Sequence, residues 1–298
     1  MLIKRGDKLE SFHRVHCVIT NINGEIVRQY GSNNFRTYIR SSLKPFQAIP
    51  FIRSGSVEKY KYSQKTIAIA CGSHSGENYQ IEEVKNILKQ ANIDIKSLKC
   101  PAKKNSSSAL YHNCSGKHAA FLVTCKEMKW PTNNYLQLNH PLNLEIINNL
   151  SKILDKEIKK EDISRDNCGA PTFLLKLSEI AKLYSYIAKQ KQEDITTIFE
   201  AMTNYPEMVS GKGCFDTEVM KLARGQILSK GGSEGVQCIS NKVDGLAVAI
   251  KVEDGAKRAK HAVAIHLLRE FKWLDSYSID KISAIMFDHT NDVEIEVV

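Results

Sequence analysis

The 298 residues are 42% hydrophobic and 25% charged, the balance of an ordinary soluble globular protein with chain enough for one large core or two lobes. No run approaches the roughly 18 apolar residues of a membrane span. The opening "MLIKRGDKLESFH" has no secretory apolar centre, so the protein is expected in the cytoplasm. A formal charge of +9 invites a nucleic-acid partner, and "EKYKYSQK" interleaves Tyr60 and Tyr62 with Lys59, Lys61 and Lys65. The lysines are nevertheless dispersed among acids along the whole chain, as in "LDKEIKKEDIS", which weighs against that partner. The cysteines at 17, 71, 100, 114, 125, 168, 214 and 238 are scattered, as free thiols of a reducing compartment would be, with a few open to metal ligation or catalysis.

In chain order, "HRVHCVIT" and "EIVRQYG" alternate around the turn "NING" and predict an antiparallel hairpin in which Cys17 is a packing residue. "LKPFQAIPFIRSG" has helical spacing broken by prolines and ends on Gly55. "NYQIEEVKNILKQAN" puts Ile81, Val84, Ile87 and Leu88 on one face of an amphipathic helix. Further helices are predicted at 117–128, 142–154, 171–189 and 192–204, with Cys125 as a core thiol. After Leu222 the pattern turns to strands near 226–229, 235–240 and 245–252, then a helix in "AKRAKHAVAIHLLREF" and a last strand in "NDVEIEVV". The prediction is an α/β (α+β) protein, a single domain over 1–298. A mixed sheet built from both termini (about 1–74 and 211–298) would carry a mainly helical lobe of about 75–210.

Several segments concentrate small, polar and nucleophilic residues. In "RSSLKPF" Ser41 and Lys44 are one helical turn apart, so the amine can reach the hydroxyl and, if desolvated or beside a cation such as Arg40, act as its base. The same spacing recurs at Ser56–Lys59 and Ser278–Lys281, and the pattern alone favours Ser41 as a helix N-cap with Lys44 solvated. In "CGSHSGE", Ser73 follows an apolar stretch and heads a polar turn that could be catalytic or only a cap. Cys114, with Lys117 and His118 following, and Cys168, close to Asp166, could be two halves of a metal site or simply buried thiols. His118 is the more conventional nitrogen ligand of that group. Lys251 ends the apolar strand "LAVAIK", where it could snorkel to solvent or point into a cleft as a second base.

Taken in order, "HRVH", "RSSLKPFQA", "CGSHSGE", "NCSGKHAAFL", "DNCGAPTF", "KGGSEGV" and "GLAVAIKVEDGAKRA" resemble the L-asparaginase II family, the group typified by the inducible rhizobial asparaginase, from about residue 10 to the C-terminus. The resemblance implies a fold like that of serine β-lactamases and penicillin-binding proteins, a homodimer, two Ser–Lys pairs and a zinc site near them. Carried over by motif, Ser41 pairs with Lys44 and Ser73 with Lys251. Cys114, Lys117 and Cys168 become the zinc ligands, and His118, Asp166 and Cys238 line or support that site. The chain departs from the pattern at Val15, Gly72, Asn167 and Ser233, and in the lysine- and serine-rich stretch after Cys100. These positions neighbour the catalytic atoms and do not replace them.

The implied function is hydrolysis of L-asparagine to L-aspartate and ammonia, with Ser41 attacking and Ser73 with Lys251 relaying protons. Two other classes stand beside it. One is a β-lactamase-like acyl-serine amidohydrolase of another substrate, and the other a zinc- or nucleic-acid-binding module without turnover.

Overall fold

The computed structural model describes residues 1–102, 108–287 and 293–298. The lysine- and serine-rich stretch after Cys100 therefore lies mostly outside the described residues, as does the start of "NDVEIEVV". In chain order the chain forms β1 (Leu2–Arg5), β2 (Lys8–Phe12), β3 (Val15–Thr20), β4 (Ile26–Tyr30) and β5 (Arg36–Tyr38). The helices α1 (Lys44–Gln47), α2 (Ile49–Arg53), α3 (Ser56–Lys59), α4 (Gln64–Ala70), α5 (Asn78–Gln90), α6 (Ser115–Glu127) and α7 (Pro141–Leu154) follow. Next come the hairpin β6 (Ile163–Arg165) and β7 (Pro171–Lys176), then α8 (Leu177–Ala188), α9 (Glu193–Asn204), α10 (Pro206–Val209) and α11 (Phe215–Leu222). The chain closes with β8 (Ile227–Gly231), β9 (Val236–Asn241), β10 (Ala247–Val252), α12 (Lys257–Glu270), α13 (Ser276–Met286) and β11 (Val293–Glu296). None of the helices among the described residues is long and apolar enough to cross a membrane.

Two compact units emerge: Met1–Ser42 with Leu175–Lys189 and Gly213–Val298, and Leu43–Leu174 with Gln190–Lys212. Within the second unit α2 and α4 pack on α6, and within the first α8 packs on β3, β9 and β10.

In the first unit the strands run in the order β4-β3-β10-β9-β8, drawn from both ends of the chain, and each pairing is antiparallel. Helices cover both faces, which explains why "VHCVIT" and "AVAIKV" read as almost continuous apolar runs. Cys17, Ile19, Ile239, Val248 and Ile250 meet α11, α12 and α13 on one face. On the other, Thr20 Oγ1 lies 2.6 Å from Ser185 Oγ and Ser240 Oγ donates to Tyr184 O at 2.7 Å, both on α8. A smaller sheet, β11-β1-β2, gathers both termini.

The second unit is built around α6, which is buried from Ser115 through Cys125 and so has no polar face. The helices α2, α3, α4, α5 and α7 surround it. The amphipathic α5 buries Ile81, Val84, Ile87 and Leu88, the face its sequence periodicity predicts. The proline-rich stretch at 44–53 forms two short helices that meet at Ala48, and Gly55 takes a φ of +72° that ends the run. The segment expected to be helix from 171 begins as strand β7 and turns helical only at Leu177. Its "PTFLL" is β-branched and aromatic enough to pair, and β6 supplies the partner. Nor is "EKYKYSQK" a stacking surface: Tyr62 is buried with its hydroxyl on Ile87 O at 2.7 Å, and Lys59 and Tyr60 both bind Glu127.

Candidate active site

The second unit brings together three of the segments singled out in the sequence. Lys44, fully buried at the start of α1, directs its amine at Ser73 Oγ (2.9 Å), Gly72 O and Asn113 O (3.4 Å). The partner of Lys44 is thus Ser73, just past the end of α4. The turn that carries Ser73 is held by Ser73 N–H donating to Val209 O at 2.6 Å and His74 N–H donating to Asn113 O at 3.1 Å. His74 Nε2 meets Ser115 Oγ at 2.8 Å, tying the same turn to the first residue of α6.

Close approach of backbones makes this possible. Gly116 on α6 abuts the Ile69 carbonyl of α4, where a Cβ would clash. At Gly72 a Cβ would stand 2.7 Å from Met208 O and 3.1 Å from both Ile69 O and Val209 O. The backbone of α10 and its neighbours thus leaves no room for a Cβ at position 72. Gly72→Ala is expected to destabilise the protein by about 1–3 kcal/mol, read as a lowered urea midpoint. An unchanged midpoint would show that α10 yields without cost.

Cys114, Lys117 and Cys168 converge in the same unit. Cys114 precedes α6, Lys117 sits in its first turn, and Cys168 lies in the tight β6–β7 turn closed by Gly169 N–H donating to Asp166 O at 2.8 Å. All three side chains are buried, and Lys117 Nζ is 3.3 Å from Cys168 Sγ. The Cys114 thiol, followed by the Lys117 ammonium and the His118 imidazole, holds the Cys168 sulfur far below the usual thiol range, and Cys114 is raised in turn as the donor of that pair. Burial works against charge on Lys117, but the Cys168 and Cys114 sulfurs and the Asp166 carboxylate outweigh it and raise its pKa. Burial pushes His118 down to about 4, leaving a neutral imidazole whose Nδ1 is 2.8 Å from Tyr135 Oη. Among the described residues no group of three His, Cys, Asp or Glu side chains is placed to hold a metal. This trio offers two sulfurs and an amine instead. Two sulfurs and an amine suit zinc once Cys114 and Lys117 have released their protons, as ligands do on binding a metal.

The remaining candidates lie in the first unit. Arg40 opens the 3₁₀ turn Arg40–Leu43 with a φ of +53°. Ser41 follows, half-buried, and its hydroxyl makes no hydrogen bond among the described residues. Its neighbour Ser42 is committed to structure: its Oγ donates to Lys230 O at 3.0 Å and its carbonyl accepts the Tyr184 hydroxyl at 2.8 Å. Lys251, next to last in β10, has its amine on Glu234 O and Val252 O (2.7 Å), and burial holds its pKa below the ordinary lysine range. Cys238, in β9, is fully enclosed and its thiol is pushed up to about 12 by burial.

Sequence reasoning missed several participants. The Gly72 and Asn113 carbonyls act through backbone and leave no side-chain signal. A buried Asp216 accepts from Ser229 Oγ (2.7 Å), Gln237 Nε2 (2.8 Å) and Gly231 N–H (2.8 Å) and lies in the field of Lys230 and Lys260. Of these, Lys230 and Gly231 stand inside "KGGSEGV" and Lys260 inside the predicted helix "AKRAKHAVAIHLLREF", none of them singled out for its charge or its contact with Asp216.

The profile of the L-asparaginase II family matches residues 1–298, the whole chain, and the chain belongs to that family, a family of amidohydrolases. No curated protein matches the chain. Among solved structures it is similar to Mglu in its native form, at 10% identity and a TM-score of 0.49 over 92% of this chain and 69% of that one. Mglu in its glutamate form follows at 11% identity and 0.45, over 88% of this chain and 61% of that one. A β-lactamase from Mycobacterium bovis is similar at 11% identity and 0.38, over 86% and 94%.

Proposed function

We propose that the protein is an L-asparaginase that hydrolyses L-asparagine to L-aspartate and ammonia through an acyl-serine. The observation that supports this most within the family is the buried Lys44 amine on Ser73 Oγ. Ser41 attacks the side-chain amide carbon, and its proton passes to Lys44. To receive it, Lys44 must first release one of its own protons; the neutral amine can still donate to Gly72 O and Asn113 O while its lone pair serves a serine hydroxyl. Ser73 relays a proton to the departing ammonia. Lys251, with its pKa depressed by burial, is the second base, serving the water that releases aspartate. Cys114, Lys117 and Cys168 are the residues that would hold zinc, with His118 and Asp166 in support. Bound there, the ion supplies a Lewis-acid anchor for the α-carboxylate or α-amino end of the substrate. The assembly is proposed to be a homodimer.

The test is ammonia release by the purified protein from asparagine and from glutamine, with and without a chelator. Turnover of asparagine is the expected result. A protein that turns over a lactam and releases no ammonia from asparagine would overturn the substrate assignment. One zinc per chain is expected by metal analysis, falling below about a tenth of that in Cys168→Ser. Equal zinc content in the two proteins would remove Cys168 from the ligand set.

A further inference from the structure

Tyr135 stands in "TNNYLQL", between α6 and α7, with its side chain fully buried. Its hydroxyl oxygen has two hydrogen-bond partners among the described residues: the Lys99 backbone nitrogen at 2.8 Å and His118 Nδ1 at 2.8 Å. The Lys99 N–H can only donate, so it occupies a lone pair of the phenol oxygen. The phenol keeps one proton of its own, and inside the protein a hydroxyl proton without an acceptor is costly. His118 Nδ1 is the acceptor within reach. If Nδ1 carried a proton, in either the neutral or the charged ring, two N–H groups would converge on the oxygen and the phenolic proton would be stranded. A neutral imidazole carries a single proton, which therefore sits on Nε2.

That nitrogen is fully enclosed and has no hydrogen-bond partner among the described residues. The imidazole interacts with the Cys168 sulfur, the acceptor available to an Nε2 proton, and Lys117 Nζ lies 3.3 Å from the same sulfur. We propose that Tyr135 is a positioning residue that fixes His118 as its Nε2–H tautomer, so that the imidazole offers a donor toward the Cys168 sulfur and withholds the lone pair with which a histidine enters a metal's ligand shell. Tyr135 thus excludes the more conventional nitrogen ligand and leaves that place to Lys117. A group that hydrogen-bonds a ligating thiolate tunes its basicity and orientation, as outer partners of metal ligands do. Only this consequence for ligand choice rests on the zinc reading; the tautomer does not.

Long-range proton–nitrogen NMR of His118 in the purified full-length protein tests the assignment, in the wild type and in Tyr135→Phe. The wild type is expected to show protonated Nε2 and unprotonated Nδ1, a reading that needs no variant. In Tyr135→Phe the one proton donor to Nδ1 among the described residues is gone, so the ring is expected to shift to the Nδ1–H form or a mixture. The apparent zinc affinity is expected to fall about tenfold. A protonated Nδ1 in the wild type would overturn the proposal. So would a variant whose thermal midpoint drops while tautomer and affinity stay unchanged, since Tyr135 would then only fill space. Failure of both proteins to bind zinc, with the Nε2–H signature intact, would count against the metal reading and leave Tyr135 in its role.

Discussion

Ser41→Ala is expected to lower asparagine turnover by about a thousandfold or more, whereas Ser42→Ala should leave it within a few-fold of the wild type. The two serines are adjacent and chemically identical, but their surroundings differ. Ser42 Oγ is spent on Lys230 O, and its loss is expected to cost about 1 kcal/mol of stability. The Ser41 hydroxyl makes no hydrogen bond among the described residues and is partly accessible, as an attacking group must be. Ser73→Ala is expected to cut the rate by about 10²–10⁴, the range of a lost proton relay. Intact-mass spectrometry under rapid quench separates the roles: the adduct belongs on Ser41 and disappears in Ser41→Ala. An adduct that persists in Ser41→Ala and vanishes in Ser73→Ala would make Ser73 the nucleophile and Lys44 its direct base.

The largest expected effect on stability lies in the first unit. Asp216→Asn should destabilise it by about 3–5 kcal/mol, the usual consequence of stripping one partner from buried opposite charges. Asp216 is enclosed, and burial alone would raise its pKa. The Lys230 and Lys260 ammoniums and the donors Gly231 N–H and Gln237 prevail and hold it below the ordinary carboxylate range. Because the folded-state pKa is depressed, the stabilisation is fully present above the unfolded value of 3.8 and is lost as pH falls through the folded value. The variant should therefore be less stable at neutral pH, and its denaturation midpoint should decline less than that of the wild type as pH falls below about 4. Adding Lys260→Met to the variant is expected to restore part of the loss, since the burden is an unpaired buried cation. Equal midpoints for wild type and Asp216→Asn across that range would show that the carboxylate carries no net stabilising charge.

Local pattern was enough for much of the chain. The hairpin of β3 and β4 and the buried face of α5 follow from periods of two and 3.6 residues, which the backbone imposes wherever one side is covered. The helix α8 starts later than its apolar pattern predicts because "PTFLL" is apolar in any register and pairs with β6 as a strand. The family was legible because several short motifs agree in order, even where single residues such as Gly72 and Val15 depart from the pattern.

The amino-acid sequence by itself determined the class of fold, the family and the residue types available for chemistry: two serines, two lysines, and a lysine between thiols. Tertiary structure alone decided who meets whom. Lys44 meets Ser73, a partner 29 residues along the chain that no spacing of three residues could reveal. Tyr135 and Asp216 matter through groups that lie far along the chain, His118 in one case and Lys230 and Lys260 in the other. Proton positions and buried charge depend on what encloses a group, and that enclosure exists only once distant segments have packed.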